Sequence, residues 1–112
     1  MLDGLSTRVE RYLDLLSARQ KLVVRNIANA DTPGYKTADV DFQSEMRNAT
    51  ASVSEMSTVQ VNDLATKADG NNVSLDREAR MLAENDIRFN IATQLLRGQI
   101  RHIRSAINEG RS

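Results

Sequence analysis

Two segments with an apolar residue at every seventh position dominate this 112-residue chain. A seven-residue apolar period is typical of helices that pack side by side in a coiled coil. We therefore expect two long amphipathic helices, each with one apolar seam. The seam positions are Leu2, Val9, Leu16, Val23 and Ala30 in the first segment, and Leu75, Leu82, Phe89, Leu96 and Ile103 in the second.

Polar residues interrupt the first repeat in its second half, at Arg19, Gln20 and Asn26. Such groups need hydrogen-bond partners wherever a seam is buried. A polar residue in a helix seam also sets the register of the pair or contacts a neighbouring chain. We expect one of these roles for each of the three residues.

A sharp turn ends the first segment. Pro33, the only proline in the chain, is followed by Gly34. Proline fixes φ near the value that the second position of a tight turn requires, and glycine accepts the positive φ of the third position in a type II turn. The first helix therefore cannot continue through these residues.

A second turn precedes the other helix. Residues 69–72 read Asp-Gly-Asn-Asn, a combination typical of turns. Ser74 is a suitable N-cap, and Asp76 and Glu78 place negative charge in the first turn, where the helix dipole favours it. The sequence predicts a helix from there almost to the last residue.

The segment between the two turns has no sustained apolar period. It is rich in Ser, Thr, Ala, Asn and Asp, and we predict a loosely structured connector, with a short extended piece at 59–61 and one or two helical turns at 45–51. The predicted fold class is all-α, with the long N- and C-terminal helices paired as an antiparallel coiled-coil-like core domain. Its parts are the first helix and turn (1–36), the connector (37–68), and the second turn and helix (69–112).

Composition argues against several classes of function. The formal net charge is zero, so there is no global attraction toward nucleic acid or an anionic membrane. The chain has no cysteine, one histidine (His102), and none of the common metalloprotease or nucleotide-binding motifs. We predict no catalytic residue, no cofactor and no metal site.

Two patterns come close to ligand sites. Oxygen-bearing side chains surround Gly70, but the twelfth position counted from Asp69 is Arg80, where a calcium loop requires a bidentate Glu. We interpret this segment as a turn and helix cap. Four arginines lie along one side of the second helix: Arg97, Arg101, Arg104 and Arg111. Without a basic excess or stacking aromatic residues, this row fits contact with an acidic neighbour better than contact with nucleic acid.

The N-terminal residues do not fit a cleavable export signal. Asp3 stands where such a signal carries Lys or Arg, and no long apolar run follows. No segment is apolar for long enough to span a membrane. We expect no direct membrane insertion, and a route that does not use a cleaved leader if the protein leaves the cytoplasm.

The two turns carry motifs that resemble a known family. Residues 26–36 read Asn-Ile-Ala-Asn-Ala-Asp-Thr-Pro-Gly-Tyr-Lys, residues 69–78 read Asp-Gly-Asn-Asn-Val-Ser-Leu-Asp-Arg-Glu, and Ala-Glu-Asn follows at 83–85. In this order, each at a helix boundary, they resemble the axial proteins of the bacterial flagellar rod and hook. The second motif resembles the proximal rod type, and the resemblance covers nearly the whole chain.

This resemblance implies a structural subunit of the flagellar basal-body rod in the periplasm, assembled helically around an export channel. The implied partners are its own copies, other rod proteins, the rod-base adaptor protein and the flagellar type III export gate, which would export the chain on an uncleaved signal. We expect structural and assembly roles for the residues that match the two motifs. They are Asn26, Asn29, Thr32, Pro33, Gly34, Tyr35, Asp69, Gly70, Asn71, Asn72, Asp76 and Glu78.

Two features depart from the family pattern. Phe89 stands where the family often has Tyr, and the connector is short, so a large outer domain is not expected.

Composition and heptads alone also fit a soluble helical-hairpin adaptor or a secretion chaperone. An adaptor has a fixed stoichiometry, whereas a rod subunit associates through open-ended contacts, so the state of assembly separates the two hypotheses.

Overall fold

The computed structural model describes residues 4–48 and 56–110, and two long helices make up most of it. The elements in chain order are α1 (Gly4–Ala28), β1 (Ala38–Val40), α2 (Phe42–Arg47), β2 (Thr58–Gln60) and α3 (Leu75–Gly110). The predicted all-α class, with long N- and C-terminal helices joined by a connector, is confirmed. Leu2 of the first repeat and Arg111 of the arginine row lie outside the described residues.

Helices α1 and α3 pack antiparallel, as predicted. At one end of the pair, Asn26 Nδ2 donates a hydrogen bond to Glu78 Oε1 at 2.8 Å. Farther along, Asn85 Nδ2 donates to the carbonyl oxygen of Leu16 at 3.0 Å. Residue numbers thus fall along α1 while they rise along α3, which defines the antiparallel direction.

The molecule is long and thin, because α3 has 36 residues and α1 only 25. It measures 70 × 25 × 19 Å, with a radius of gyration of 18.2 Å. A compact globule of this length has a radius of gyration of about 13 Å. Val9 of α1 and Ala92 of α3 lie side by side, since both line one cavity. The described part of α1 begins at Gly4, only five residues before Val9, whereas α3 continues to Gly110, so residues 100–110 extend beyond α1. We call residues 100–110 the α3 extension.

The apolar repeat of α1 lies in the core. Val9, Leu16 and Val23 are all buried. Leu15 and Ala18 are buried on the adjacent side of the helix, where they pack with the first strand in one hydrophobic cluster. Burial of these aliphatic groups is the main favourable term that holds α1 against the rest of the chain.

Helix α3 presents a largely polar line to α1. Its buried residues are Glu78, Asn85 and Ala92, which recur every seven positions. The polar members are buried because α1 supplies hydrogen-bond partners for them. The apolar repeat of α3 lies beside this line: Leu82, Leu96 and Ile103 are half-buried and Phe89 is 38% exposed. This chain therefore leaves much of that apolar repeat uncovered.

The described part of the connector is folded. Strands β1 and β2 form an antiparallel ribbon in which Asp39 lies opposite Val59. The extended piece expected at 59–61 overlaps β2. Asn26 holds both backbone polar groups of Ala38, the first residue of β1, so a long-range contact that connector composition does not reveal positions the ribbon.

Helix α2 overlaps the helical turns predicted at 45–51 but begins earlier, because Asp41 caps it. The Asp41 side chain accepts a hydrogen bond from the Ser44 amide. A buried ion pair then fixes α2 on α1, with Arg11 Nη2 3.0 Å from Glu45 Oε2. Residues 49–51 of that prediction lie outside the described residues.

Within the described ranges, no helix has both the length and the apolar character needed to cross a bilayer.

Candidate assembly site

The two sequence motifs meet at one end of the helix pair. The Gly34 amide donates a hydrogen bond to the Asp69 carbonyl oxygen at 2.9 Å, which ties the first turn directly to the second. We call residues 26–38 and 67–78 together the clasp. It joins the end of α1, the first strand and the start of α3.

Asn26 is the central residue of the clasp. Its side chain is fully buried in the last turn of α1. Nδ2 donates to the Ala38 carbonyl oxygen at 2.9 Å and to Glu78 Oε1 at 2.8 Å, while Oδ1 accepts from the Tyr35 hydroxyl at 2.8 Å and from the Ala38 amide at 3.2 Å. These four bonds use the full capacity of a primary amide. One side chain thereby links α1, the first turn, β1 and α3.

Asn71, also fully buried, closes the end of α1. Its Nδ2 donates to the carbonyl oxygens of Asn29 at 2.9 Å and Thr32 at 2.8 Å, and its Oδ1 accepts from the Val73 amide at 2.9 Å. Both carbonyl groups also accept from amides of the first turn, so the second motif supplies each of them with a second donor.

Asn72 binds the chain that leaves the first turn. Its Oδ1 accepts from the Thr37 amide at 2.7 Å, and its backbone carbonyl accepts from the Thr37 hydroxyl at 3.3 Å. The Asn72 amide in turn donates to the Tyr35 carbonyl oxygen at 3.3 Å. Asn71 therefore binds the chain that enters the first turn, and Asn72 binds the chain that leaves it.

Two lysines add reciprocal contacts between the turns. Lys67 Nζ donates to the Ala30 carbonyl oxygen at 3.0 Å, and Lys36 Nζ donates to the Gly70 carbonyl oxygen. Both contacts are exposed, so we expect each to contribute less than the buried amides do.

The first turn has the geometry that Pro33 and Gly34 indicate. The Tyr35 amide donates to the Thr32 carbonyl oxygen at 3.2 Å, and Gly34 has φ of 76°, as a type II turn requires at its third position. Gly70 also has a positive φ, 88°, and a Cβ built there would lie 3.4 Å from the Gly34 Cα. The two glycines allow the turns to approach closely.

We expect Gly70→Ala to lower the free energy of unfolding by about 1 to 3 kcal/mol, because an L side chain disfavours this backbone conformation. Gly98→Ala is the matched control: Gly98 lies inside α3, where its added methyl would meet only the end of the Arg101 side chain at 3.9 Å. That change should stabilise the protein by up to about 1 kcal/mol. Urea unfolding of both variants measures the difference, and equal effects would contradict the account of the turn.

A network of charged side chains connects the clasp with β1 and with Arg19 of α1. Asp39 accepts from Arg19 Nε at 2.9 Å and from Arg77 Nη2 at 2.8 Å, and Arg77 Nη1 also donates to Glu78 Oε2 at 2.6 Å. Two cations balance two carboxylates, and Glu78 connects the network to Asn26. The sequence marked Arg19 as needing a partner, but nothing in the pattern pointed to Asp39 or Arg77.

The structure brings together all but one of the residues that match the two motifs. Asp76 lies within residues 67–78, but its side chain is exposed and pairs with Arg80 one turn along α3 rather than with another motif residue. Such pairs contribute little to stability. Ser74 does act as an N-cap, because its hydroxyl accepts from the Arg77 amide at 3.2 Å. Within the described residues, no cluster of acidic or histidine side chains fits a metal ion.

Among the residues that the structure describes, many large apolar side chains are exposed, and most of these lie on α3. Exposed apolar groups concentrated on one element mark interaction surfaces more often than scattered ones do. On α3 they are Leu75, Ile87, Phe89, Ile91, Leu95, Ile100 and Ile107; elsewhere they are Leu5, Val24, Ile27 and Val59.

Known proteins are similar to this chain in sequence. A family model described as flagella basal body rod protein matches residues 13–36, the second half of α1 and the first turn. The flagellar basal body rod protein FlgB of Yersinia enterocolitica is 32% identical, and the alignment covers 97% of each chain. The chain belongs to the FlgB family of flagellar basal body rod proteins. FlgB of Escherichia coli (strain K12) is 31% identical, over 98% of this chain and 99% of the relative, and FlgB of Bacillus subtilis (strain 168) is 26% identical, over 99% and 98%.

Membership in the FlgB family assigns the chain to the structural proteins of the flagellar basal body rod, which assemble with other rod components. The segment matched by the family model ends with the first turn of the clasp, so it contains Asn26 and Tyr35. The alignment with the Escherichia coli FlgB runs over 138 positions, more than the 112 residues of this chain, so that relative contains insertions.

Proposed function

We propose that this chain is a structural subunit of the proximal rod. In this proposal it assembles helically with its own copies and with other rod proteins, and together they build the drive shaft and its export channel. The observation that carries the proposal is the uncovered apolar surface of α3 in a chain that aligns with FlgB over nearly its whole length.

The surface of α3 supports assembly more than a free-standing hairpin. A helix that works in an isolated pair buries its apolar stripe against its partner and exposes its polar face. Here the line that faces α1 contains Glu78 and Asn85, while Ile87 and Ile91 on another side of α3 are each about three-fifths exposed. Neighbouring subunits that covered these flanks would complete the burial.

We propose that the clasp acts as the rigid end piece of the subunit. Its buried amides bind specific backbone groups, so they fix the position of the turns and the direction of α3 relative to α1. Buried polar contacts of this kind confer specificity of arrangement more than net stability. The motif residues would then contribute to assembly by setting the shape that neighbours contact.

The family relationship supports further partners for the same role. We propose that the chain reaches the periplasm through the flagellar type III export gate on an uncleaved signal, and that it contacts the rod-base adaptor protein and the next rod protein outward. Each of these contacts is separately testable by cross-linking in purified basal bodies.

Deletion of the gene tests the structural role. We expect basal bodies purified from the deletion strain and viewed by electron cryomicroscopy to lack the rod, and a plasmid copy of the gene to restore it. An intact rod in the deletion strain would contradict the proposal and favour a soluble adaptor or secretion chaperone.

A further inference from the structure

A groove runs along one flank of the helix pair. It consists of two adjoining depressions of about 430 and 380 Å³, which share Gln20 of α1 and Asp86 of α3. Leu82 and Phe89 supply apolar surface from α3, and Lys21 lies on the α1 side. The groove surface is part apolar and part polar, and a mixed surface of this kind between two helices is suited to an amphipathic third helix.

The α3 extension of the same chain is an amphipathic helix that the described part of α1 does not reach. On the α3 extension, Ile100, Ile103 and Ile107 follow one another at spacings of three and four, so they form one strip. Ile100 is 38% and Ile107 is 52% exposed. The strip continues the seven-residue repeat of α3 beyond the point where the described part of α1 can cover it.

Charge favours one orientation of this helix in the groove. Arg97, Arg101 and Arg104 lie on one side of the isoleucine strip, since Arg104 is one turn from Ile100. The α3 border of the groove carries the carboxylate of Asp86. Neither Arg104 nor Asp86 forms an ion pair with any residue that the structure describes. The arginine side of an incoming extension would therefore lie toward Asp86 rather than toward Lys21.

The cavity on the opposite flank fits the extension poorly. Its volume is about 390 Å³ and its surface is almost entirely apolar, but Arg8 and Arg88 border it. Arg88 is paired with Glu84, but Arg8 adds a cation that would repel the arginine row of the extension. Charge thus distinguishes the two flanks as receptors for the same helix.

We propose that the α3 extension of one copy binds in the flank groove of a second copy, with Arg104 beside Asp86. The proposal rests on the proposed function, because it specifies how copies of the rod subunit contact one another. Extension and groove are different surfaces, so the contact is heterologous and each bound copy leaves a free extension or a free groove. Repetition of such a contact gives an open-ended array.

Engineered cysteines test this contact in assembled basal bodies, because the natural chain has no cysteine. We expect the double variant Phe89→Cys with Ile107→Cys to give cross-linked dimers and higher multimers with a short bismaleimide. The two positions are 18 residues apart on one helix, about 27 Å, so a cross-link within one chain is impossible. Each single variant should give no ladder.

The matched control pairs Ile107→Cys with Ile91→Cys, which is exposed on the opposite flank. An equal ladder from the control, a cross-link only to another protein, or no ladder in motile cells with the Phe89 pair would each overturn the proposal. If cells with the double cysteine variant lose motility, the charge-exchange experiment described next decides whether the proposal stands.

The charge exchange tests the orientation without touching the apolar strip. Arg104→Asp alone and Asp86→Arg alone should each lower the amount of protein in purified basal bodies at least fivefold, and the two changes together should restore at least half of it. Failure of the pair to recover would overturn the proposal. Two results distinguish this contact from the proposed function. If gene deletion removes the rod but the copies do not cross-link, this contact is wrong and the proposed function stands. If the deletion strain has an intact rod, the proposed function itself is wrong.

Discussion

We expect Asn26→Ala to lower the free energy of unfolding by about 3 to 5 kcal/mol, measured by urea denaturation followed by circular dichroism. The change removes four hydrogen bonds from a fully buried amide. It leaves both polar groups of the Ala38 backbone and one oxygen of Glu78 without those partners. A buried polar group left unpaired costs about 1 to 3 kcal/mol, so several of them exceed the effect of an ordinary substitution.

Two further variants make this prediction specific. Asn26→Asp preserves the shape but lacks the two N–H donors and places a second carboxylate beside Glu78, so we expect it to be at least as destabilising as Asn26→Ala. Asn90→Ala, at an exposed position of α3, should change stability by less than about 0.5 kcal/mol. A loss below about 1 kcal/mol for Asn26→Ala would mean that Asn26 does not hold the clasp together.

The second large effect is expected at the buried ion pair. Glu45→Ala should lower the free energy of unfolding by about 3 to 5 kcal/mol, because it removes the carboxylate 3.0 Å from the buried guanidinium of Arg11. It also removes the oxygen that accepts from the Ser57 amide at 2.8 Å, so one side chain ties α2 both to α1 and to the chain before β2. The same urea titration measures the loss.

Matched changes separate burial from charge. Glu84→Ala removes a shorter pair, 2.7 Å from Arg88, but both side chains are half exposed, so we expect a loss below about 1 kcal/mol. Replacing both partners of the buried pair, as Arg11→Met with Glu45→Leu, should recover most of the stability lost in Glu45→Ala. Equal losses in the double and single variants would contradict this explanation.

Local signals explain why much of the fold could be predicted from the sequence. The seven-residue apolar repeats indicated α1 and α3, and Ser74 indicated where α3 begins. The type II geometry at Pro33 and Gly34 follows from the backbone preferences of those two residues alone. In each case the signal and the structure that it determines lie within a few residues of each other.

Contacts between distant residues explain what the sequence did not reveal. Asn26 and Glu78 are 52 positions apart, and Asp39 and Arg77 are 38 apart, so no spacing rule connects them. The same applies to the face of α3 that contacts α1. Apolar periodicity predicted that the side of α3 with Phe89 contacts α1. In the structure a hydrogen bond from Asn26 of α1 holds the polar side of α3, with Glu78, against α1 instead.

The most direct test of the account is a high-resolution electron cryomicroscopy map of wild-type basal bodies at the base of the rod. We predict density for two long antiparallel helices, with the first turn bound to residues 67–73 at one end and neighbouring subunits covering the apolar flanks of α3. Rod subunits whose two turns lie apart, or whose α3 flanks face solvent, would contradict it.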